Sequence, residues 1–78
     1  MKYLIMEDFS GQPVPFIFPR RVDHADMRDQ LPYKNIISCG YMELADGKIK
    51  CFGGNPELQA QAKPEDITIL TEALRERN

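Results

Sequence analysis

Few residues of this chain have side chains suited to chemistry, and their spacing decides what each could do. His24 is the single histidine and stands between Asp23 and Asp26. An imidazole beside carboxylates can act as a general base or contribute to a metal site. One histidine and two acids on so short a segment are too few ligands for a metal without help from elsewhere in the chain. Asp23 also falls where a helix N-cap belongs, with Asp26 three residues on in the position of a capping-box acid. The sequence therefore predicts His24 as a solvent-facing residue in the first turn of a helix. An enzyme built on it would need an inter-subunit cleft near His24.

Cys39 and Cys51 lack the Cys-x-x-Cys spacing of redox and metal motifs, and a pair this sparse does not make a disulfide scaffold. They are expected to pack as small hydrophobes. Arg20 and Arg21 are adjacent and, with Arg28, Lys34 or the pair Arg75 and Arg77, could form an anion-binding spot. Gly53-Gly54 lacks the remainder of a phosphate loop. Tyr3, Tyr33 and Tyr41 suit sheet packing better than acid catalysis. No nucleophile is paired with a base, and no catalytic residue, cofactor or metal is assigned.

The chain that must position these groups has 78 residues, with 10 basic and 12 acidic side chains and a net charge of −2. This balance excludes the strongly basic signature of a small nucleic-acid-binding domain and makes nucleic acid an unfavoured partner. No apolar run approaches the ~18–20 residues of a membrane span, so no membrane association is expected. The opening Met1 to Asp8 is too short in its apolar part for a secretory leader. One cytoplasmic domain over residues 1–78 is the expectation, with a core small enough that a partner would add much to its stability.

Its elements follow from pattern. Lys2 to Glu7 reads as a strand apolar on both faces, and Val14 to Phe18 as its hairpin partner. Pro13, Pro15 and Pro19 share parity, so the N–H groups they lack would lie along one edge, which marks this second strand as a blunted edge strand. A short helix follows Asp23, with Val22 and Met27 as a hydrophobic staple and Pro32 beyond its end. Asp46-Gly47 predicts a type I′ turn. That turn sets Leu44 opposite Ile49, Glu43 opposite Lys50, Met42 opposite Cys51 and Tyr41 opposite Phe52. Pro64 opens a second helix with acids in its first turn and arginines in its last.

The predicted fold is α+β, in the order β-β-α-β-β-α, with a four-stranded, mainly antiparallel sheet and two helices packed mostly on one face. Alternation then puts Ile37, Cys39, Tyr41 and Phe52 together on the uncovered face, a patch that monomers seldom leave in water. Self-association through these residues is the expected partnership. The favoured function is a small non-enzymatic accessory or adaptor protein, expected as a homodimer, acting through protein–protein contact. The alternatives are an anion or nucleic-acid-binding module using Arg20 and Arg21, and a small enzyme with its site near His24.

Overall fold

The computed structural model describes residues 1–76, with side chains through Arg75. The strands are β1 (Lys2–Glu7), β2 (Pro13–Phe18), β3 (Ile36–Ala45), β4 (Lys48–Phe52), β5 (Gly54–Asn55) and β6 (Ala60–Gln61); the helices are α1 (His24–Asp29) and α2 (Asp66–Glu76). The first four strands form one antiparallel sheet in the order β2-β1-β3-β4, an α+β fold in the expected element order. Arg77 lies outside the described residues.

The hairpin arithmetic is met in full. Asp46 and Gly47 take φ of 52° and 75°, the left-handed conformations a type I′ turn requires at both central positions. Leu44, Glu43, Met42 and Tyr41 pair with Ile49, Lys50, Cys51 and Phe52. β2 is an edge strand, with Pro13 and Pro15 opposite Glu7 and Ile5.

The helices do not share a face, which corrects the expected layering. Tyr3, Leu4, Ile5 and Met6 of β1 are all fully buried, so this strand has a lid on each side. Tyr3 and Ile5 pack with Met42, Ile49 and Leu70 beneath α2. Leu4 and Met6 pack with Phe18 and Cys39, against Val22, Met27 and Leu31 of the α1 segment. Topology explains the division. β2 and β3 both run antiparallel to β1 and hence parallel to each other, so β2-α1-β3 is a crossover. The face a crossover helix covers is set by the hand of the connection, a consequence of sheet twist that no residue type encodes.

A bulge also breaks the alternation expected along β3. Ile5 pairs with Ser38 but Met6 with Ile36, leaving Ile37 as the extra residue. Ile37 consequently packs toward α2, while Cys39 packs in the α1 layer. The first helix differs at its start as well. Asp23 occupies the N-cap but its side chain makes no cap hydrogen bond; its carboxylate lies 3.8 Å from Lys2 Nζ, which donates to the Val22 carbonyl. No capping box forms there. At α2 the Lys63 N–H donates to Asp66 Oδ2 at 2.8 Å, the return bond of a capping box with Pro64 just inside the turn.

Between β4 and α2, Gly54–Asn55 pairs with Ala60–Gln61 around a short 3₁₀ turn over Pro56–Leu58. Leu58 and Ala60 extend the lid over the α1 layer.

Candidate functional site

His24 is 1% exposed, which corrects the expectation of a solvent-facing residue. The helix begins at His24 itself, so the ring turns inward between Phe18 and Tyr41, edge-on to both at 5.5 and 5.7 Å. Its Nε2 lies 2.9 Å from the Gly40 carbonyl, and its Nδ1 3.4 Å from Asn55 Nδ2. A carbonyl can only accept, so Nε2 carries the proton and Nδ1 receives the Asn55 amide. Asn55 cannot turn its amide around, because its Oδ1 accepts from the N–H groups of Glu57 and Leu58. The imidazole is a strut joining β3 to the 3₁₀ turn. Asp23 faces Lys2 and Asp26 is exposed, so the three residues the sequence grouped do not converge. Among the described residues no group of three or more His, Cys, Asp or Glu is placed to hold a metal ion.

The second polar centre was not singled out from the sequence. Asp66 is fully buried and accepts from Tyr3 Oη at 2.5 Å, Ser38 Oγ at 2.7 Å and the Lys63 N–H. Burial, then the Asp66 carboxylate as acceptor and as neighbouring charge, drives the Tyr3 phenol far above its ordinary value. The Cys51 thiol beside it is also raised, chiefly by burial. Cys39 is raised for the same leading reason, and both cysteines are free. A nucleophile needs a lowered pKa or a nearby base. The phenol and both thiols are raised rather than lowered, and the one base beside them, Asp66, is sealed from solvent with Tyr3 and Ser38, so the cluster serves to fasten α2 to β1 and β3.

The four residues expected to form one apolar face are therefore divided. Ile37 faces α2 and Cys39 is fully buried; Tyr41 and Phe52 stay together at the surface, stacked with ring centroids 5.8 Å apart. Arg20 lies over the Tyr41 ring, its guanidinium carbon 5.5 Å from the centroid, and Arg21 is exposed.

The surface best placed to engage another molecule runs along β4. The two-residue turn makes Ala45–Lys48, Glu43–Lys50 and Tyr41–Phe52 the mutually hydrogen-bonded pairs. Ile49 and Cys51 then turn their N–H and C=O groups away from β3, toward the sheet's outer edge. Among the described residues no backbone group from another segment bonds to them. Beside this edge lies an open groove of about 490 Å³ lined by Leu44, Gly47, Lys48, Ile49, Ile67, Thr71 and Leu74. Leu44 is 71% and Ile67 41% exposed.

Comparison with protein-family models, with curated proteins and with solved structures yields no match, so function must be argued from this geometry. No helix among the described residues is long and apolar enough to cross a membrane.

Proposed function

We propose that this protein is a small non-enzymatic accessory or adaptor that acts through protein–protein contact, offering β4 as a docking strand. The observation that carries this reading is the unpaired backbone edge at Ile49 and Cys51 beside an apolar groove. Strand addition draws its affinity from such main-chain groups and its specificity from adjoining pockets. The two edges of the sheet differ in a telling way. β2 is blunted by Pro13 and Pro15, whereas β4 has no proline and is guarded only by lysines.

Selection from a displayed library of extended peptides tests the reading, with amide exchange as the footprint. Binders should slow exchange at Ile49 and Cys51. Binders that leave both amides unchanged would place the contact elsewhere and defeat the assignment.

A second reading, anion or single-stranded nucleic-acid binding, is favoured by the stack of Arg20, Tyr41 and Phe52. Aromatic faces beside basic groups are the usual platform for unpaired bases. Salt-sensitive retention on heparin, lost in Arg20→Ala, would support it; free passage at low ionic strength would remove it.

A further inference from the structure

We infer that the β4 edge takes an extended segment of a different protein in which acidic and aliphatic residues alternate. This rests on the adaptor reading above and specifies the partner's chemistry.

Residues along a strand point alternately to the two faces of a sheet, and a strand added to β4 must do the same. The two faces it meets are unlike. On the α2 side it meets Leu44 and Ile49, with Ile67 and Leu74 across the groove, an apolar surface. On the other side it meets Lys48 and Lys50, which share the face of Phe52 and are exposed. Glu43 lies opposite Lys50, one strand further in, and leaves the lysines as the charges nearest the edge. A segment with carboxylates at every second position and aliphatic side chains between them satisfies both faces at once.

Charge also argues against a second copy as occupant. The antiparallel register pairing all of β4 with itself about a two-fold axis sets Lys50 directly against its own copy, and like charges directly opposite are destabilising.

The test compares short peptides: Glu-Val-Glu-Ile-Glu-Val, a block isomer with its acids grouped, and Lys-Val-Lys-Ile-Lys-Val. Binding is followed by fluorescence anisotropy and by exchange at the Ile49 and Cys51 amides. The alternating acidic peptide should bind, protect both amides and weaken as salt rises, and the other two should not compete with it. Lys48→Glu with Lys50→Glu should weaken it by about tenfold, and Ile67→Glu should weaken it comparably. All three positions are exposed, and unchanged circular dichroism will show that the variants fold.

If the alternating peptide fails while library-selected peptides of other composition protect the two amides, the partner chemistry is overturned and the docking edge stands. If no peptide protects them, the docking edge falls too. Protection of both amides in the free protein, together with a mass of two chains, would show that a second copy fills the edge and would overturn the inference.

Discussion

Tyr3 donates its phenolic proton to Asp66 across a sequence separation of 63 residues, both side chains withdrawn from water. Ser38 and the Lys63 N–H complete the acceptor's partners, so one carboxylate joins β1, β3 and the start of α2. Asp66→Ala should lower stability by about 3–5 kcal/mol, because two buried hydroxyl donors and the part-buried Lys63 N–H lose their acceptor together. Tyr3→Phe, which removes one donor and keeps the ring, should lower it by about 1.5–3 kcal/mol. Urea unfolding of each variant measures both; equal losses would show that the bonds are not shared as described.

The same contact predicts the alkaline limit of the fold. The folded-state pKa of Tyr3 is raised above the ordinary phenol value of about 10. The unfolded phenol therefore ionises first, and the stability Tyr3 contributes is present below pH 10 and lost as pH rises beyond it. The loss should approach about 1.4 kcal/mol per pH unit for this one group. Urea midpoints across the alkaline range should fall faster for the parent protein than for Tyr3→Phe, which keeps the slope due to the two raised thiols.

Nitrogen-15 shifts of the His24 ring should report a proton on Nε2 and an accepting Nδ1 in the neutral imidazole, the tautomer its partners impose. The reverse tautomer would overturn the strut assignment. His24→Ala should lower stability by about 2–4 kcal/mol, through the cavity between Phe18 and Tyr41 and the lost partner of Gly40.

Both thiols should resist a disulfide reagent in the native protein at mildly alkaline pH and react fully in denaturant. Cys39 is enclosed, and burial disfavours the reactive thiolate at both positions. Rapid native labelling of Cys39 would contradict its place in the α1 layer.

Features fixed by neighbours in the chain were legible before the fold was seen. Asp46-Gly47 dictates its own turn, and the turn dictates four cross-strand pairs. The shared parity of Pro13 and Pro15 marks β2 as an edge. What escaped depends on contacts distant in sequence. The bulge at Ile37 reverses parity without any glycine or proline to announce it. The burial of His24 requires Phe18, Tyr41 and Asn55 to meet around it. The acid at Asp66 looked like an ordinary first-turn residue, and only the placement of Tyr3 and Ser38 turns it into a fastening point. The open edge of β4 became visible once the strand order was known.

Because β1 is the middle ply, glued on both sides, neither outer layer can peel away without stripping a surface the other depends on. Partial opening therefore gains little, and the amides of Tyr3 to Met6 should exchange with solvent only when the whole molecule comes apart. Their exchange rate gives a direct reading of global stability, from a strand that a docked partner need never touch.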